Sequence, residues 1–203
     1  QRQMCIRDSF AMVHQPIDID KARLIPQARE ALEKEWRKLE SKPVEAWDLS
    51  SVREKSDVAA EATRNKVVVH FGTLMELCHL KHAELDPKFQ SYKGRIVFRG
   101  DIVKDQDGYL AVFSEQGTGA SHMAAAKMMD ALARLPDNDG EEADATGAYT
   151  QAHLGGPETW VALPKHRWPK HWHGRFQTPV VRLTKALYGH PLAGLYWEQH
   201  CKK

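Results

Sequence analysis

Cysteine is scarce. Cys5, Cys78 and Cys201 are the only three in 203 residues, and an odd number without paired spacing cannot build a disulfide framework. A reducing, intracellular and cytoplasmic setting is the expectation that follows. Long apolar runs are missing too. A membrane span needs about 18 consecutive apolar residues, and the most apolar stretch, 67–78, is broken by His70 and Glu76. No membrane partner is therefore expected. The N-terminal residues Gln1 to Ser9 lack the apolar stretch and cleavage site of a signal peptide. Gln1 to Ser9 reads instead as translated adapter sequence, and residues 1–13 as non-native or unstructured. No P-loop, no His-Glu-x-x-His and no Gly-x-Ser-x-Gly occurs, which leaves NTPase, zincin and esterase readings without support.

The 11 histidines raise a zinc reading, centred on Cys78-His79-x-x-His82 or on His166, His171 and His173. Neither group has a second half at ligand spacing, so packed or surface histidines are expected. Hydrophobic residues make up 42% and charged residues 28%, and six Trp, six Phe and five Tyr are too many buriable rings for a disordered chain. The length suffices for one domain with a real core. Charge nearly balances, 29 basic against 27 acidic residues for a net +2, but it is polarised along the chain. Residues 135–164 hold no Lys or Arg, yet Asp137, Asp139, Glu141, Glu142, Asp144 and Glu158 fall there. Residues 159–197 hold no Asp or Glu, yet Lys165, Arg167, Lys170, Arg175, Arg182 and Lys185 do. An acidic patch beside a basic one suits a metal-dependent enzyme acting on phosphate polymers. Two solvated loops of opposite sign explain it as well.

Periodicity predicts an amphipathic helix over Pro26–Glu40, with Pro26 in its first turn and Ala28, Leu32, Trp36 and Leu39 on one stripe. Shorter helices are expected near 57–65 and 74–81. Residues 93–104 and 109–114 read as a β-hairpin turning at Asp107-Gly108. Alternation puts Lys93, Arg95 and Arg99 on one face and Ile96 and Phe98 on the other. The segment Gln116-Gly-Thr-Gly-Ala-Ser121 lacks the third glycine of a dinucleotide loop. Ser121 is expected to cap a helix running to Leu135, buried through Ala124, Met128, Ala131, Leu132 and Leu135 and stopped by Pro136. A strand around Ala143 should lead into a helical start at 147–151. Asp144 lies between Ala143 and Ala145, where a lone carboxylate must reach solvent, cap the helix or bind a cation. Strands are expected at 159–163 and Pro179–Leu183, and a helical pattern marks Leu195, Tyr196, Trp197 and Cys201. Between those strands, basic and aromatic residues interleave from Pro164 to His173. That pattern suits either nucleic-acid contact or a loop whose two Trp plug a core.

In order and spacing, four motifs resemble the reverse transcriptase domain of copia-type retroelement polyproteins. Lys93-Gly-Arg-Ile-Val-Phe-Arg-Gly100 is similar to that family's basic fingers strand, and Asp144-Ala-Thr-Gly-Ala-Tyr149 to its first catalytic motif. Thr159-Trp-Val-Ala-Leu-Pro164 sits where the family has its methionine–glutamine–proline strand. Leu183-Thr-Lys-Ala-Leu-Tyr-Gly189, followed by Trp197, is the most specific of the four. The resemblance covers about residue 92 to the end.

That resemblance implies an α+β fold: a partial right-hand polymerase, with a fingers β-hairpin and an early palm sheet over 92–203, preceded by a helical segment over 14–91. It implies RNA-directed DNA polymerase activity, with deoxynucleoside triphosphates, an RNA or DNA primer-template and the rest of the retroelement polyprotein as partners. Asp144 would be a catalytic ligand of Mg2+ or Mn2+. Lys93 and Arg95 would hold the triphosphate, and the Tyr149 ring would exclude a ribose 2′-hydroxyl. Leu187, Tyr188 and Gly189 would bring backbone close to the nucleotide. Arg99, Lys165, Arg167, Lys170 and Lys185 would contact nucleic acid. The sequence departs from the family at His190-Pro-Leu-Ala-Gly194, where a Lys-Gln-Ala-Pro is usual. The family's second metal motif, two adjacent Asp, would follow Trp197 and is not in this chain. It is thus expected to be a truncated fragment, inactive alone, the alternative being a non-catalytic nucleic-acid-binding remnant.

Overall fold

A computed structural model describes residues 13–113, 123–141 and 144–203. The chain opens with strand β1 (His14–Ile17) and helix α1 (Ile19–Leu24). The Asp18 carboxylate caps α1 by accepting from the Asp20 and Lys21 amides. Helix α2 spans Pro26–Glu40 with Pro26 at its start, and its expected stripe of Ala28, Leu32, Trp36 and Leu39 is buried. Strand β2 (Trp47–Glu54) and helix α3 (Lys55–Asn65) follow, α3 closing on Lys66 in the left-handed region. Then come the long strand β3 (Val69–Lys81), strand β4 (Ser91–Phe98), helix α4 (Met123–Ala133) and the single turn α5 (Ala148–Gln151). Strands β5 (Glu158–Ala162) and β6 (Pro179–Leu183) precede helix α6 (Ala193–Cys201).

The class is α+β, built on one mixed sheet. Its order is β1-β3-β5-β6-β2, with β4 also paired to β3. The β3–β5 pair is parallel, from Val69 opposite Glu158 to Thr73 opposite Ala162, and the other pairs are antiparallel. Neighbouring residues of β5 and β6 serve opposite faces, as the pleat requires. Val161, Val181 and Leu183 join Trp36 and Leu39 of α2 in the main core. Trp160 and Val180 pack instead with Val58 and Ala62 of α3. Each large apolar side chain taken fully from water contributes about 2 kcal/mol, so the two cores hold α2 and α3 on the two faces of the sheet.

Three expectations are corrected. Residues 74–81 are not a helix but the second half of β3, which pairs with β4 from Leu74 opposite Phe98 to Lys81 opposite Ser91. Leu, Met, Glu and Lys favour a helix locally, but strands on both edges of β3 override that preference. Between the 93–104 strand and 109–113, the described part of its expected partner, pairing is confined to one bridge. The strand ends at Phe98, a 3-10 turn at Gly100–Ile102 interrupts it, and only the Lys104–Leu110 bridge survives of the expected hairpin. The Asp107-Gly108 turn does form, with Asp105 Oδ1 accepting from the Asp107 and Tyr109 amides at 2.9 Å. Helix α4 exists, but none of its residues is buried, and Met128 and Leu132 are 63% and 41% exposed. Leu135, the end of that expected stripe, is exposed as well. Periodicity selects a face that could be covered, not whether a covering layer exists. Ser121 and Ala143 lie outside the described residues.

In the loop between β5 and β6 both tryptophans pack against the main core. Trp172 is fully buried in the main core, and Trp168 packs beside it while its indole N–H donates to Leu163 O at 2.9 Å.

Candidate functional site

The Leu183–Gly189 motif runs off the end of β6 into a turn that docks against the end of β4. The Phe98 amide donates to Tyr188 O at 2.8 Å. Gly189 has φ +87°, and a Cβ there would stand 2.1 Å from Phe98 O. A Cβ on Gly100 would meet Gly189 O at 2.2 Å. These two glycines are fixed by the close approach of the two backbones, and only glycine tolerates both the crowding and the positive φ at 189. Leu187 is fully buried in the core, so its side chain serves packing.

This docking gathers three of the expected substrate-binding residues. Arg95, exposed on β4, lies over the Tyr188 ring at 5.2 Å. Tyr149 of α5 meets the other residue of that pair, its ring 4.8 Å from Tyr188 at 64°. Lys93 lies two positions before Arg95 and so on the same face of β4. A guanidinium held on a rigid strand above two phenol rings can pair with phosphate oxygens while the rings meet a sugar or base.

Asp144 is exposed in the loop leading to α5. Helix α2 adds a residue that sequence reasoning missed: Lys38 Nζ would be 3.3 Å from a Cβ on Gly147, in the turn between Asp144 and Tyr149. Among the described residues no group of three or more His, Cys, Asp or Glu could hold a metal ion. A two-ion site needs converging carboxylates. The residues described offer Asp144 alone and do not fit a pair of bound Mg2+ ions.

The expected nucleic-acid contacts divide. Arg167 is a structural tie: its side chain, 16% exposed, pairs with Glu33 at 2.9 Å and Glu40 at 2.8 Å and lies over the Trp36 ring. Arg99 pairs with Asp101 at 2.9 Å. Lys165 lies over the Trp168 ring at 6.0 Å, and Lys170 is exposed. Lys185 donates to His153 Nε2 at 3.1 Å, on the wall of a groove of about 550 Å³ that Trp47 and Asp48 also line.

Two further clusters carry ionisable chemistry. Glu76 of β3 shares the inward face with Leu74 and Cys78, and its side chain is 7% exposed. It accepts from the Trp36 indole at 2.6 Å and from Arg23 at 2.6 Å, and stands 3.1 Å from His166 Nε2. Burial pushes this carboxyl up, but the Trp36 and Arg23 hydrogen bonds and the Arg23 and His166 charges outweigh it, leaving the pKa below its ordinary value. The signal that could have found it is the one that singled out Asp144, a lone carboxylate in an apolar run. The other cluster is a pair of buried histidines, His70 and His190, separated by Phe113.

Neither a family model, nor a curated protein, nor a solved structure matches the chain.

Proposed function

We propose that this chain is the fingers and early palm of a copia-type reverse transcriptase, an RNA-directed DNA polymerase. The observation that carries this reading is the cluster of Arg95, Tyr188 and Tyr149, which come from three motifs distant in sequence and meet at 5.2 and 4.8 Å. Motif order and spacing support it independently. In this reading Lys93 and Arg95 hold the triphosphate of an incoming deoxynucleotide. Tyr149 occupies the space a 2′-hydroxyl would need, and Asp144 is one ligand of a Mg2+ or Mn2+ centre. Asp144 alone does not build such a centre, which, with its other ligands, would supply activation of a primer hydroxyl. In this reading Arg95, Lys93 and Tyr149 bind and orient the nucleotide. A second reading, a non-catalytic nucleic-acid-binding remnant, draws on the exposed Lys165 and Lys170.

Nucleotide titrations monitored by intrinsic fluorescence separate the two. The polymerase reading expects dATP to bind more tightly than ATP, with Tyr149→Ala erasing the difference and Arg95→Ala weakening both by about tenfold, the loss of one charge-assisted contact. Equal affinity for dATP and ATP in the parent chain, unmoved by Tyr149→Ala, would leave the binding-remnant reading standing.

A further inference from the structure

His190, the first residue of the stretch that departs from the resemblance, is a buried polar group. It is 6% exposed and follows directly on the Tyr188-Gly189 turn that docks on β4. Its ring stands 5.0 Å from Phe98 and 5.8 Å from Phe113, and beyond Phe113, at 5.0 Å, lies His70 of β3. The Leu192 amide donates to His190 Nδ1 at 3.2 Å. Nδ1 is therefore the unprotonated nitrogen, and the ring's proton sits on Nε2, which is buried without a hydrogen-bond partner among the described residues.

We propose that His190 is an acid-sensitive latch: neutral, it wedges the Tyr188-Gly189 turn against β4, and on protonation it releases that turn. The geometry leaves the second proton only one place to go. It would enter on Nδ1, opposite the Leu192 N–H, turning a hydrogen bond into two opposed donors. The resulting cation would lie in a box of Phe98 and Phe113 with no carboxylate in contact among the described residues. Phenylalanine faces attract a cation, but less strongly than the water it would forgo. The titratable and charged groups around the box are few. His70 faces it from β3 across Phe113 and opposes a positive charge, while Asp105 acts on His70 and not on His190. From the end of β4, Arg99 and Asp101 neutralise one another beyond Gly100. Burial first, and His70 second, push the His190 pKa down to about 4. The latch does not depend on the polymerase reading, because its output is the position of a backbone turn. That turn carries Tyr188, so its release would also separate Tyr188 from Arg95.

The direct test is amide exchange at Phe98, whose N–H is held by Tyr188 O, corrected for the intrinsic effect of pH. With the released histidine ordinary at 6.5 and the docked one at about 4, Phe98 should lose protection about 20-fold between pH 7 and pH 5. His190→Phe, which fills the same aromatic box without a titrating nitrogen, should abolish that loss, whereas His70→Asn should keep it. A Phe98 protection independent of pH overturns the proposal, as does a loss that persists in His190→Phe or disappears in His70→Asn. Should His190→Phe fail to fold, the parent imidazole's own 15N titration decides. A midpoint well below 6.5, with the Phe98 change lying between that midpoint and 6.5, supports the latch; one at or above 6.5 overturns it.

Discussion

Glu76 and Asp144 are both lone carboxylates in apolar stretches, and the fold treats them in opposite ways. Glu76 faces inward from β3, 7% exposed in its side chain, and holds Trp36, Arg23 and His166. Asp144 is exposed in a loop, with no hydrogen-bond partner among the described residues. The first ties α1, α2 and the β5–β6 loop to the sheet; the second is free to meet a ligand. A buried carboxylate survives only with donors around it, and an exposed one needs none. Apolar neighbours in the sequence therefore do not reveal which case applies. The strand register does.

The comparison is broken most directly by removing each carboxylate. Glu76→Ala leaves a buried indole N–H and part of Arg23 without their acceptor, and is expected to lower stability by about 3 kcal/mol in urea unfolding. Asp144→Ala should stay within about 0.5 kcal/mol of the parent. Acid sharpens the contrast. Glu76 has its pKa held below the ordinary 4.5, so its contribution is complete above pH 4.5 and fades only as the pH falls further. His190, lowered from 6.5 to about 4, contributes fully above pH 6.5 and loses that contribution as the pH falls through this window. Stability measured against pH should thus fall in two stages, the histidine first. The absence of any fall between pH 6.5 and pH 4 would mean that the His190 pKa is not lowered in the folded chain.

A smaller effect probes the docked turn. Gly189 and Gly108 have nearly equal φ, +87° and +88°, but a Cβ at 189 would strike Phe98 O while one at 108 meets open space. Gly108→Ala should then lose about 1 kcal/mol from backbone strain alone, and Gly189→Ala at least about 2 kcal/mol, by thermal or urea unfolding. Equal losses would mean that the turn does not press on β4.

What was legible in the sequence was what local chemistry decides. Pro26 and the Ala28–Leu32–Trp36–Leu39 stripe define α2, and the α3 and α6 patterns, β5 and β6 follow from period and composition alone. What escaped was set by partners far along the chain. Residues 74–81 are a strand because β4 and β1 flank them, and Arg167 is paired with Glu33 and Glu40, more than a hundred positions earlier. The site shows the same division. Motif spacing picked out Arg95, Tyr149 and Tyr188, but Lys38 reaches Gly147 from a helix that carries no motif.

The least costly substitutions should fall on α4. Its apolar positions have the spacing of a buried stripe, yet Met128, Met129 and Leu132 are 63%, 66% and 41% exposed. Removing a largely exposed apolar side chain forfeits little burial, so Met128→Gln with Leu132→Gln should change unfolding free energy by less than about 0.5 kcal/mol. The same pair on a covered face would cost about 2 kcal/mol or more, since each would bring an amide into an apolar contact. The magnitude therefore distinguishes a helix standing clear of the core from one whose stripe is covered in solution. A loss of 2 kcal/mol would place α4 with Glu76, among the parts of the chain that hold it together, and leave Asp144 alone on the exposed side.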